Sequence, residues 1–171
     1  MPPEGGAAGA SAPTVEVRLA SAEDTRAWGA RLGEVLRAGD LVVLTGDLGA
    51  GKTTLTQGIA EGLGVRGPVT SPTFVIARVH PTLVGGPALV HVDAYRLGGL
   101  AELDDLDLDT SLEDSVTIVE WGHGLAEGLS DDRLEVTLRG HDERTVTLAA
   151  RGPRWEGEQA RAALAGLTEV A

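Results

Sequence analysis

The sequence predicts an α/β fold: a three-layer domain with a mixed, mostly parallel central sheet, flanking helices and a C-terminal β-hairpin. Three observations predict it. Leu41-Val42-Val43-Leu44 and Val116-Thr117-Ile118-Val119 are unbroken or nearly unbroken apolar runs, the pattern of strands buried on both faces in sheets covered by helices. Segments with helical spacing alternate with these strand-like runs instead of standing apart from them, as α/β architectures require. Two pairs of strand-like runs, each joined across a Gly-containing turn, read as hairpins.

The elements follow in order. Residues Met1–Pro13 are rich in Ala, Gly and Pro and are expected to be a disordered tail. Val15-Glu16-Val17-Arg18-Leu19 alternates apolar and polar, the signature of a half-buried strand. Ser21-Ala22-Glu23-Asp24 resembles a capping box. Trp28, Leu32, Val35 and Leu36 then recur at helical spacing to about Arg37. Gly39-Asp40 turns the chain into the Leu41–Leu44 strand. A Gly-rich loop follows, then a helix over Thr54–Leu63 ended by Gly64. Ser71–Phe74 is a loop leading into a strand at Val75–Val79. The Gly/Pro-rich turn Pro81–Pro87 connects it to Ala88–Asp93, and the turn chemistry predicts an antiparallel hairpin. Leu100–Asp114 is expected to be partly helical, Val116–Val119 is a buried strand, and Leu134–Leu138 with Thr145–Leu148 is the terminal hairpin. Glu158–Leu167 reads as a short, weakly held helix. The resulting division is a tail over residues 1–13, one domain over 14–150 and a C-terminal extension over 151–171.

Composition excludes several classes. The 171 residues fit one domain, enough to bury roughly 70% of the surface an unfolded chain exposes. No apolar stretch approaches the roughly 20 residues that span a bilayer, and the N-terminus lacks the charged and apolar regions of a secretory signal. The absence of cysteine excludes disulfides and thiolate metal sites and accords with a cytoplasmic protein. A net charge of −12 without a Lys/Arg cluster argues against direct binding to DNA or RNA, which needs cations to displace counterions. Glu102–Asp114 holds seven acids among thirteen residues. It fails as a calcium loop because Thr110 stands where Gly is required and Val116 where Glu is required. A solvated face suits it better than a docking surface for a basic partner.

Chemistry concentrates in one motif. Gly46-Asp47-Leu48-Gly49-Ala50-Gly51-Lys52-Thr53 matches G-x-x-x-x-G-K-[ST] at every fixed position, with on the order of two in a thousand chance matches expected from this composition. Glycines let backbone N–H groups approach a phosphate, and the following helix adds its positive end. The chain has 13 arginines and a single lysine, and that lysine, Lys52, lies in this loop, where a compact ammonium fits and a guanidinium fork does not. Lys52 is expected to bridge the β and γ phosphates of ATP and the Thr53 hydroxyl to ligate Mg²⁺. The fold class is accordingly P-loop NTPase-like. Such a loop needs a carboxylate for magnesium and a group to position water. Asp93 and Glu120, each closing a buried strand, are the candidates. No N-K-x-D for guanine, no Ser-His-Asp set and no zinc spacing is present.

Four blocks occur in order: Gly46–Thr54, Ser71–Phe74, His91–Leu97 (HVDAYRL) and Glu120-Trp121. Together they resemble the bacterial ATPase family that supports threonylcarbamoyladenosine formation on tRNA, the TsaE type, across roughly Val15 to Ala149. The only Phe, Phe74, and the only Tyr, Tyr95, fall within these blocks. The resemblance implies that Gly49, Ala50, Gly51, Lys52, Thr53 and Thr54, with Gly46, hold the phosphates, and that Thr53 and Glu120 bind magnesium. It implies that Asp93 either orients water or supports the metal shell, and that Trp121 either stacks on the nucleotide or faces a partner. Ser71, Pro72, Thr73 and Phe74 would form a switch-like loop. Thr25, in the Glu23-Asp24-Thr25 stretch before the first helix, and Arg144 match further family positions. His80 stands where the family usually has Tyr, and Gly122-His123-Gly124 departs from it after Trp121; neither histidine is given a catalytic role.

The function so implied is Mg-dependent ATP binding and weak hydrolysis, required to form the threonylcarbamoyl group on adenosine 37 of tRNAs reading ANN codons. The partners implied are of the TsaD and TsaB type, with tRNA reached only through them. Two readings compete: a small-molecule P-loop kinase, for which no lid insertion is found, and a nucleotide-dependent binding switch without significant hydrolysis.

Overall fold

The computed structural model describes residues 14–46, 51–65, 77–93, 114–120, 132–140 and 143–168. Its strands are β1 (Thr14–Leu19), β2 (Leu41–Gly46), β3 (Ala77–His80), β4 (Ala88–Asp93), β5 (Ser115–Glu120), β6 (Arg133–Arg139) and β7 (Arg144–Arg151). The helices are α1 (Ala22–Val35), α2 (Lys52–Leu63) and α3 (Glu158–Ala165), with 3₁₀ turns at Pro153–Trp155 and Gly166–Thr168.

The strands form one sheet in the order β1-β7-β6-β2-β5-β4-β3. The apolar runs take the middle, as their pattern demands: β5 is buried at every residue and β2 at all but Thr45. The four central strands, β6, β2, β5 and β4, run parallel. Both edges are antiparallel: β3 pairs with β4, and β6, β7 and β1 form a meander-like margin. The alternating pattern of β1, with Val15, Val17 and Leu19 inward, suits a margin strand with one wet face.

The predicted hairpins both form, each with bounds slightly shifted. Helix α1 starts behind Ser21, whose hydroxyl accepts from the Asp24 N–H at 3.1 Å, and stops at Val35 because Leu36 is already extended. Helix α2 begins at Lys52, two residues before the position expected, because Gly51 takes φ 101° and its carbonyl accepts from the Leu55 N–H at 2.9 Å. It ends at Gly64, φ 75°, as the sequence implies. The tail 1–13 and the acidic segment up to residue 113 lie outside the described residues.

Helices α1 and α2 touch through glycine. A Cβ on Gly58 would lie 2.2 Å from the carbonyl oxygen of Arg26, and one on Gly62 would lie 2.1 Å from that of Ala30. Conversely, a Cβ on Gly29 would meet the Leu55 oxygen at 2.6 Å and one on Gly33 the Ile59 oxygen at 2.4 Å. Contacts advance along both helices together, so the pair is parallel and the first turns lie at the same end. Below them Leu32, Leu55 and Ile59 join Val42, Leu44, Leu89, Val116 and Ile118 in one core.

The C-terminal helix is seated more firmly than its weak amphipathic pattern suggests. Trp155, Leu164 and Leu167 are buried in the same core. The indole N–H of Trp28 donates to the Leu167 carbonyl at 2.8 Å. Arg154 stacks on Trp155 and reaches Asp40 through Nε at 2.9 Å and Nη2 at 3.1 Å. These anchors are long-range, so helical periodicity does not announce them. Among the described residues no helix is long and apolar enough to cross a membrane.

Candidate functional site

The candidate site gathers at the carboxyl ends of β2, β5 and β4, where open α/β sheets bind ligands. Register aligns them: Leu44 sits beside Glu120, and Glu120 beside Asp93. Strand β2 runs two residues further, to Gly46, and α2 opens at Lys52.

Gly51 is required twice over. Its left-handed backbone disfavours any side chain, and a Cβ there would lie 3.1 Å from Nε of Arg144. Arg144, the first residue of β7, therefore stands against the start of α2, although some 90 residues of chain separate the two, on the order of a whole domain's length. Lys52 is buried, and its ammonium donates to the Gly46 carbonyl at 2.5 Å. The ammonium thus reaches back to the end of β2.

The first turn of α2 has no acidic residue and no side-chain cap. The positive end of its dipole thus has no carboxylate of its own first turn beside it, which favours an anion there. Thr53 and Thr54 are half-buried in this turn. The parallel glycine seam brings the first turn of α1, with Thr25, to the same end. Thr25 lies inside that turn and not before the helix, because α1 starts at Ala22; its hydroxyl donates to the Ser21 carbonyl at 3.2 Å.

Glu120 is buried at the end of β5 and hydrogen-bonded to Nε2 of His91, which is fully buried in β4. Strand alternation puts both on the face that carries Leu89, Val116 and Ile118, under the helix pair. Sequence reasoning quoted His91 within a block but gave it no role. The available signal was a lone polar side chain inside Leu89-Val90-His91-Val92. Asp93 ends β4 in register with Glu120. His80 is buried at the end of β3, on the far margin of the sheet. Gly49, Ala50, Trp121, His123 and Ser71, Pro72, Thr73 and Phe74 lie outside the described residues.

The donor set suits a hard cation and a polyphosphate. A carboxylate and a hydroxyl are oxygen ligands, of the kind Mg²⁺ takes one or two at a time alongside phosphate oxygens. The Lys52 ammonium and the positive end of α2 supply the complementary positive charge.

Comparison with known proteins identifies the family. Residues 19–147 match the family model described as threonylcarbamoyl adenosine biosynthesis protein TsaE. The chain is 62% identical over 137 residues to the tRNA threonylcarbamoyladenosine biosynthesis protein TsaE of Streptomyces coelicolor, covering 76% of this chain and 93% of that one. It is 60% identical over 127 residues to the protein of that name from Mycobacterium tuberculosis, covering 70% and 76%. With its namesake from Bacillus subtilis it shares 41% over 142 residues, covering 81% and 87%. The crystal structure of Bacillus subtilis YdiB superposes with a TM-score of 0.68 at 32% identity, covering 92% of this chain and 95% of that one.

Proposed function

We propose that this chain, which belongs to the TsaE family of threonylcarbamoyl adenosine biosynthesis proteins, binds ATP with magnesium at the start of α2 and hydrolyses it slowly on its own. Its role is in the formation of threonylcarbamoyladenosine on tRNA. The observation that carries the nucleotide reading is the buried Lys52 ammonium at the bare first turn of α2.

Gly46, Gly49, Ala50, Gly51, Lys52, Thr53 and Thr54 would hold the phosphates. Thr53 and Glu120 would ligate magnesium, which when bound neutralises phosphate charge and orients the reacting groups. Asp93 or Glu120 would orient the attacking water, since both end strands at the same edge of the sheet. Arg144 would steady the loop from behind Gly51, and Thr25 would approach from the first turn of α1. Ser71–Phe74 would sense the terminal phosphate and Trp121 would meet the nucleotide or a partner.

Modification chemistry would reside in partners of the TsaD and TsaB type, in the cytoplasm, with tRNA reached through them. The net charge of −12 supports the indirect contact, because direct contact would set like charges together. The relatives are named for tRNA modification, which favours this role over a small-molecule kinase.

Titration calorimetry with ATP and Mg²⁺ tests the site. Lys52→Ala removes a charge-assisted phosphate contact and should lose about 1.5–3 kcal/mol of ATP binding, roughly a 10- to 100-fold weaker Kd. Equal affinities would sink the assignment.

A further inference from the structure

We propose that His91 is a positioning residue for Glu120: its imidazole fixes one carboxylate oxygen so that the other faces the cation. The inference rests on the reading of Glu120 as a magnesium ligand. It stands on the burial and hydrogen bonding of the pair, not on protonation changes.

His91 has no solvent exposure, and its Nε2 is hydrogen-bonded to Oε2 of Glu120. An ionised carboxylate can only accept, so Nε2 carries the proton and donates. The other ring nitrogen, Nδ1, is buried with no hydrogen-bond partner among the described residues. Among the described residues the imidazole thus has one polar contact, and that contact is Glu120. Its neighbours along β4, Leu89, Val90 and Val92, are buried apolar residues. For packing alone an aliphatic side chain would serve better, because a buried polar atom left unpaired destabilises a core.

Geometry supplies the reason for a histidine. Parallel register sets His91 beside Ile118 and Asp93 beside Glu120. On the shared face His91 is one step back from the strand ends, beneath the carboxylate. Its ring is held by the strand and the surrounding core, so the oxygen it grips is held too. Oε1 is then the oxygen left for a ligand. Metal sites use such outer hydrogen bonds to orient the ligating group, and losing one commonly weakens affinity about 10- to 100-fold.

The test measures Mn²⁺, as a magnesium surrogate, by electron paramagnetic resonance on the full chain with a non-hydrolysable ATP analogue. Binding of the analogue without metal is measured in parallel. His91→Leu should weaken Mn²⁺ binding about 10- to 100-fold while leaving metal-free nucleotide affinity unchanged. His91→Gln, whose amide nitrogen reaches the position of Nε2, should restore most of the loss. Glu120→Gln is the control for the underlying reading. If it leaves Mn²⁺ affinity intact, Glu120 is not a ligand and both claims fall. If it weakens Mn²⁺ and His91→Leu does not, only the role of His91 is overturned. Parallel loss of metal and metal-free nucleotide binding in His91→Leu, without rescue by Gln, also overturns it. Should His91→Leu fail to fold, His91→Gln against His91→Asn decides. Only Gln places an N–H at the Nε2 position, and equal Mn²⁺ affinities for the two refute the proposal.

Discussion

Helices α1 and α2 lie side by side in parallel, and their first turns are finished in opposite ways. At α1 the Ser21 hydroxyl accepts from the Asp24 N–H, and Glu23 and Asp24 set negative charge against the dipole. At α2 there is no side-chain cap and no acid, and the single lysine of the chain is buried there. One helix is completed by its own residues. The other is left incomplete at the point where a phosphate would complete it. An anion at that end of α2 would supply the stabilisation that Glu23 and Asp24 already give α1.

Substitutions can break this contrast or sharpen it. The largest effect should come from the seam that sets the two ends level. Gly58→Ala pushes a methyl group against the Arg26 carbonyl, and overpacking of this kind costs about 1–3 kcal/mol. Thermal unfolding should show it, and an unchanged melting temperature would contradict the backbone contact. Ser21→Ala should cost about 1 kcal/mol of stability by removing the cap, with ATP affinity unaffected. A matching loss of ATP affinity would mean that the first turn of α1 is not merely self-contained. Thr54→Glu gives α2 the acid that it lacks. It should stabilise the ligand-free chain by about 0.3–1 kcal/mol and weaken ATP binding; stabilisation without weaker binding would count against the anion reading.

The smallest effect belongs to Arg26 and Glu61, a half-exposed pair bridging the helices through Nε–Oε1 at 2.9 Å and Nη2–Oε2 at 2.5 Å. The hydrogen bond from Arg26 holds the Glu61 carboxyl below the usual carboxylate range. A depressed folded value means that the pair's contribution is present above the ordinary glutamate value and fades as pH falls through the depressed one. Melting curves of the parent and Glu61→Gln should therefore differ slightly at neutral pH and converge below about pH 4. A gap that persists in acid would show that the charge pairing is not its source.

Much of this was legible because it is local. The Ser21 cap, the strand and helix on either side of the Gly-rich loop, and both hairpins are written in neighbouring residues, and each appears close to its expected place. Strand order was not legible: β1, the first strand of the chain, pairs with β7, the last, Leu19 lying opposite Arg144. The glycines at 29, 33, 58 and 62 weaken a helix when read singly; their purpose appears only when the helices are set together. His91 and Glu120 likewise meet through the register of β4 against β5, which no spacing in the sequence specifies. Arg154 reaches Asp40 across 114 residues of chain, a contact that the helix's own periodicity does not announce.

At Gly58 and Gly62 backbone rests on backbone, so at these two points no side chain of α2 separates it from α1. The spacing of their two first turns is therefore set by main chain, and repacking of neighbouring side chains leaves it unchanged.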